Sequence, residues 1–135
     1  MLFRSRGLIN VAKHAPSEVA SSPATAQKWL NDRYGMQALF DKSLLILDRN
    51  GKLIASIPPR PNDIGQSRAD REYYLKTVAT GTPFISAPFI TKSSKQPAIM
   101  MTAPLRGSDG SITGVMCGRI DLLDRGGLQI GRAHV

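Results

Sequence analysis

Two apolar runs, 96–105 and 111–122, stand on either side of Gly107-Ser108-Asp109-Gly110. A short Gly- and Asp-containing connection between two such runs turns the chain back on itself, because these residues tolerate the positive φ of a tight hairpin. A chain carrying this pair of runs has to build an antiparallel sheet. A second signal of the same kind lies upstream. The run 43–47 is apolar, Asp48-Arg49-Asn50-Gly51 follows, and Leu53 and Ile54 resume the apolar pattern in 52–56. Residues 57–66 hold Pro58, Pro59, Pro61 and Gly65, the composition of an irregular loop.

Helical spacing appears in three places. Residues 6–23 carry a weak pattern (Leu8, Ile9, Val11, Ala12) that ends in a Pro/Ser-rich stretch from 16 to 23. In 24–40, apolar side chains recur at Ala26, Trp29, Leu30, Tyr34, Met36, Leu39 and Phe40, close to the i, i+3, i+4 rule, with Gly35 weakening the centre. A third helix is predicted over about 69–80, with Asp70 suited to the positive end of its dipole and Gly81 to its C-terminal cap. Residues 83–90 read as a strand interrupted by Pro88, hence an edge or bulged strand. The order is helix, hairpin, loop, helix and a three-strand meander. The fold class predicted is α+β: a central antiparallel sheet of about five strands flanked by helices, most simply packed on one face.

The 135 residues suffice for one compact domain. Apolar residues make up 41% and charged residues 21%, an ordinary globular balance. Cys117 is the single cysteine, which excludes an internal disulfide. No apolar run approaches the roughly 20 residues of a membrane span, and no signal-peptide pattern appears. The two ends call for a separate reading. Gln129, Ile130, Gly131, Arg132, Ala133, His134 and Val135 resemble the translation of a common short-read sequencing adapter, and Met1–Ser5 resemble the same adapter family. The expected organisation is then adapter-like residues at 1–5 and 129–135, an upstream helix and linker at 6–23, a domain at 24–124 and a linker remnant at 125–128. On that expectation Met1 and Val135 are not native ends, His134 drops out and His14 is the sole histidine. Loss of Arg4 and Arg132 lowers the formal charge of +8 by two. The alternative is a complete small basic protein with coincidental ends.

The stretch 44–122 resembles the Cache domain, a PAS-like extracytoplasmic sensor. The residues that carry the resemblance are L-L-I-L-D-R-N-G-K-L-I-A-S, G-Q-S-R-A-D-R-E-Y-Y-L-K, G-T-P-F-I-S-A-P-F-I and T-A-P-L-R-G-S-D-G-S-I-T-G-V, in order and with fitting spacing. It implies a periplasmic sensing module of a membrane-bound bacterial receptor. A small ligand binds its pocket and shifts a two-state equilibrium read by a cytoplasmic output domain. It also implies pairing of two copies through the parent receptor and attachment to the membrane by flanking helices, with no cofactor. Arg71, Tyr73 and Tyr74 match the family's R-x-aromatic-aromatic motif. There an arginine pairs bidentately with a carboxylate, and the tyrosines supply apolar walls and hydroxyls. The plainer alternative pairs Arg71 with Asp70 or Glu72 at the surface and buries the tyrosines in the core.

The chain departs from the amino-acid-binding version of the family at three positions. Gln66 and Phe89 stand where that version has tyrosines, and Arg119 stands where it has the aspartate that holds an ammonium. A cation there repels an amino group, so the expected ligand is an organic anion such as a dicarboxylate. Arg119 serves only if strand register turns it inward. Ser86, Ser93 and Thr102 are further candidates for the lining. Met100, Met101, Met116 and Cys117 are expected in the core. Catalysis finds no support in the sequence: there is no nucleophile–histidine pairing, metal-ligand cluster or phosphate-binding glycine loop. Nucleic-acid binding rests only on scattered basic residues, and basicity equally suits an anionic ligand. For the parent's output a diguanylate cyclase is expected on resemblance, with a histidine kinase or a methyl-accepting chemoreceptor as alternatives.

Overall fold

The computed structural model describes residues 2–33, 43–91 and 95–122. Helix α1 spans Leu2–Lys13 and α2 spans Pro23–Asn31; β1 (Ser43–Asp48) and β2 (Leu53–Ile57) form the first hairpin. After a loop come α3 (Glu72–Thr80), the two-residue strands β3 (Phe84–Ile85) and β4 (Phe89–Ile90), and the long hairpin of β5 (Pro97–Arg106) and β6 (Ile112–Asp121). No described helix is long and apolar enough to cross a membrane.

The sheet is antiparallel, in the order β2-β1-β6-β5-β3, with β4 also pairing with β5. The first hairpin does not stand apart, because β1 pairs with β6 along its whole length, from Ser43 opposite Arg119 to Asp48 opposite Gly114. This long-range pairing makes β6 the centre of the sheet. Pro88 splits the expected 83–90 strand in two: β3 pairs at Phe84–Thr102 and β4 at Phe89–Ala98, with the break between them.

Period-two alternation sorts the strands between two cores. Leu44, Ile46, Ile99, Met101, Ala103, Leu105, Met116 and Ile120 pack with Leu8, Ala12, Val19, Trp29 and Leu30 of the N-terminal helical region. Leu45, Leu47, Met100, Val115 and Cys117 pack on the opposite face with Tyr73 and Tyr74 of α3. Helices therefore cover both faces of the sheet. This corrects the expectation of helices on one face, and the reason is plain: strands apolar at both parities have to be buried on both sides.

Helix α2 begins with Ser22, whose hydroxyl accepts from the Thr25 N–H, and with Pro23 in the first turn. The Gln27 amide of α2 lies against the edge strand β2. Its Nε2 donates to Ser56 O and its Oε1 accepts from Ser56 N, each at 3.0 Å. A side chain here does what a neighbouring strand would do, blunting an exposed sheet edge. The expected continuation of this helix to residue 40 falls on 34–42, outside the described residues.

Helix α3 is shorter than the predicted 69–80. Arg71 is the N-cap in extended conformation, and Gly81 ends the helix in the left-handed region. The preceding residues are held by the first hairpin instead: Arg68 N donates to Gly51 O at 2.7 Å and Leu53 N donates to Gln66 O at 2.9 Å. The 65–71 segment is thus strapped across the turn at Asn50-Gly51.

Candidate functional site

The α3-side face of the sheet holds a cavity of about 560 Å³. Its floor is sheet, with Met100 from β5 and Arg119 from β6 contributing side chains. One wall comes from Arg71, Glu72 and Tyr73 at the start of α3, and another from the Ser86–Thr91 stretch around β4. The remaining side is the strapped loop, which brings Arg60, Asp63, Gln66 and Arg68.

Register settles the position of Arg119. It lies opposite Met100 on one side and Ser43 on the other, and it shares the parity of Cys117, a member of the α3-side core. The side chain is only 12% exposed, and its Nε stands 3.3 Å from Oδ1 of Asp121, itself 5% exposed. The alignment of that contact is too poor for a hydrogen bond. Burial depresses the pKa of the Arg119 guanidinium; Asp121 opposes the effect, while Arg60 and Arg68 add to it by repulsion. An arginine remains charged even so.

The other expected residues divide by geometry. Arg71, Tyr73, Gln66, Ser86 and Phe89 line the cavity with Arg119. Tyr73 is buried and its ring stacks on Phe89, with centroids 6.5 Å apart. Burial raises the pKa of its phenol, Cys117 adds to this, and the Arg68 guanidinium beside the hydroxyl opposes it. Arg71 forms an ion pair with Asp70 at 2.9 Å, on a side chain 31% exposed, so the plainer reading of this residue holds alongside its place in the wall. Ser86 Oγ accepts from Met100 N at 2.9 Å, which leaves its O–H as the group free for a ligand. Gln66 Nε2 reaches Asn62 O at 3.4 Å.

Tyr74 is not in the lining. Its hydroxyl donates to Arg49 O at 2.6 Å, fastening α3 to the first hairpin. Thr102 is buried, with its hydroxyl shared between Thr77 and the Phe84 backbone. Ser93 lies outside the described residues. Sequence reasoning missed Arg60, Arg68 and Asp63. All three sit in loop segments, where no periodicity marks a facing side, and the only signal was an excess of arginines around a Pro-rich stretch.

Cys117 lies fully buried in the α3-side core, its thiol pushed up to about 12 by burial, with Arg68 opposing. A folded-state pKa raised above the ordinary thiol value of 9.0 means that its stability contribution is complete below pH 9 and is lost as pH rises toward 12. The chain should therefore lose urea resistance above about pH 9 more steeply than a Cys117→Ala variant. A thiol reagent at neutral pH should label the native chain only on the timescale of unfolding. Equal pH profiles for the two proteins, or fast native labelling, would contradict the burial.

No family model matches the chain, and no curated protein does. Solved structures do. The ligand-binding domain of the Pseudomonas fluorescens chemoreceptor CtaA, in complex with L-serine, is similar with a TM-score of 0.70 at 20% identity, over 90% of this chain and 51% of that one. The ligand-binding domain of the Pseudomonas aeruginosa PAO1 amino acid chemoreceptor PctC, in complex with GABA, gives 0.71 at 19% identity over 90% and 56%. The ligand-binding domain of Mlp24 with asparagine gives 0.66 at 15% identity over 90% and 50%. The chain spans about half the length of these structures. The fold is that of the PAS-like Cache ligand-binding domains: α+β, with an antiparallel sheet of six strands among the described residues.

Proposed function

We propose that this domain binds a small organic anion in the cavity between α3 and the sheet. It would serve as the extracytoplasmic, non-catalytic sensing module of a membrane receptor. The observation that carries the reading is the lining itself: Arg60, Arg68, Arg71 and Arg119 converge on one cavity that offers two carboxylates, Asp63 and Glu72. Apolar walls of Phe89, Ile90 and Tyr73 suit a carbon skeleton, and planar guanidinium donors suit carboxylates. Ligand binding acts by favouring one of two conformations of the domain. Pairing of two copies through the parent receptor belongs to the same proposal.

An amino acid ligand is the second reading, drawn from the complexes of the similar structures with L-serine, GABA and asparagine. Against it stands Arg119, a cation at the sheet position where an ammonium would need an anion. A thermal-shift and calorimetric panel of mono-, di- and tricarboxylates against the standard amino acids separates the two. A ligand at about 100 times its Kd adds about 2.7 kcal/mol of stability, readily seen as a rise in Tm. Stabilisation by dicarboxylates but not amino acids is expected; tight amino-acid binding with no response to organic acids would sink the anion reading.

Two of the similar structures come from chemoreceptors, which favours that output module over the diguanylate cyclase. The sequence of the parent gene beyond this segment decides it: a methyl-accepting coiled coil is expected, and a GGDEF motif would overturn the preference.

A further inference from the structure

We infer that the anion is anchored by Arg60, Arg68 and Arg119, with Asp121 as the positioning residue of Arg119, and that Arg71 at the N-cap of α3 is secondary. This rests on the organic-anion reading and states where in that site the charge is held. Arg119 rises from the central strand and is 12% exposed, and its buried Nε has no hydrogen-bond partner. Arg60 arrives from the Pro-rich loop, and its Nε is likewise buried without a hydrogen-bond partner. Arg68 lines the same cavity, beside the Tyr73 hydroxyl.

Asp121 is the carboxylate that touches this group, at 3.3 Å from Arg119. Arg60, Arg68, Arg71 and Arg119 face Asp63 and Glu72 of the lining and the buried Asp121, which leaves a positive excess in a partly enclosed site where water screens less than at an open surface. A bound anion relieves the mutual repulsion, and that gain is specific to these arginines. Arg71 is placed differently: it is 31% exposed, and its Nη1 already donates to Asp70 at 2.9 Å. Exchanging Asp70 for a ligand carboxylate gains little. Asp121 lies two residues beyond Arg119, on the same face of β6. Because it sits against the Nε edge, the donors left for a cavity anion are the two Nη groups.

The test titrates the 135-residue chain with succinate by calorimetry. Arg60→Gln should weaken binding by at least about tenfold, the loss of one charged hydrogen-bond donor set. The charge-neutral double variant Arg119→Gln/Asp121→Asn should do the same, whereas Arg71→Gln should cost less than about threefold. Asp121→Asn alone is the positioning readout. Removing a negative charge beside a cation cluster should by charge alone tighten anion binding, whereas loss of Arg119 orientation should weaken it by about threefold or more. Should the double variant fail to fold, Arg60→Gln and Arg68→Gln decide the matter. Binding that survives those variants but is abolished by Arg71→Gln overturns the inference and leaves the organic-anion reading intact. Tighter or unchanged succinate binding in Asp121→Asn removes the positioning role. No succinate binding to the unaltered chain counts against the organic-anion reading, and this inference falls with it.

Discussion

Replacing Arg119 by methionine is expected to lower the folding stability of this domain by about 3–5 kcal/mol, the cost of leaving a buried charge without its partner. The pair is well protected from water, at 12% and 5% side-chain exposure, so solvent screening does little to reduce the figure. The methionine itself fits the site in volume and packs beside Met100, opposite it in register; the penalty comes from Asp121. The double variant Arg119→Met/Asp121→Leu should therefore recover most of the loss, because an apolar pair of similar size often replaces a buried ion pair at little cost. Urea denaturation of the unaltered chain, both single variants and the double variant closes the cycle. A single-variant loss below about 1 kcal/mol would show the pair to be solvated, like an ordinary surface ion pair.

Gly51→Ala carries the second large effect. Gly51 has φ +85, and a Cβ there would stand 2.8 Å from both Cα and Cβ of Ala69. The left-handed conformation costs a non-glycine residue roughly 1–2 kcal/mol, and overpacking against a backbone that cannot swing away adds about 1–3 kcal/mol. The consequence reaches the cavity. The strap that crosses this turn is fastened by Arg68 N to Gly51 O at 2.7 Å, and it carries Gln66, Arg68 and Arg71 into the lining. Displacing Ala69 displaces all three, so the variant should lose stability and organic-anion affinity together. Gly110→Ala is the control: its φ is also +85, but nothing lies within 4 Å of the added Cβ. It should lose stability by the conformational amount alone, with affinity unchanged. Equal effects of the two substitutions on affinity would show that the strap does not set the site.

How much of this was legible in the chain depends on the range of the interaction. Asn50-Gly51 and Gly107–Gly110 marked both hairpins, because turn chemistry is decided by a few adjacent residues. Gly81 marked the end of α3 for the same reason, and Pro88 marked the break between β3 and β4. The start of α3 was misplaced by three residues, since a contact with Gly51, distant in sequence, pulls the 69–71 segment out of the helix. Helices on both faces escaped the sequence reading, because an apolar run such as 43–47 states that both parities are buried without saying by what.

The site divides along the same line. The sequence by itself determined that Tyr73 and Tyr74 lie on one short helix with Arg71 close to its start, and that a cation, Arg119, stands on the last strand. It also determined that the chain alternates in a way that needs an antiparallel sheet. Only the tertiary structure decided that Arg119 faces inward, because the face follows from the pairing of β6 with β1 and β5, and a one-residue slip would reverse it. Only the tertiary structure gave Tyr74 to the hairpin and Tyr73 to the cavity. The gathering of Arg60 and Arg68 around Arg119 was likewise decided there. These positions lie far apart along the chain, and their approach depends on loop docking against a turn, a contact that no local propensity encodes.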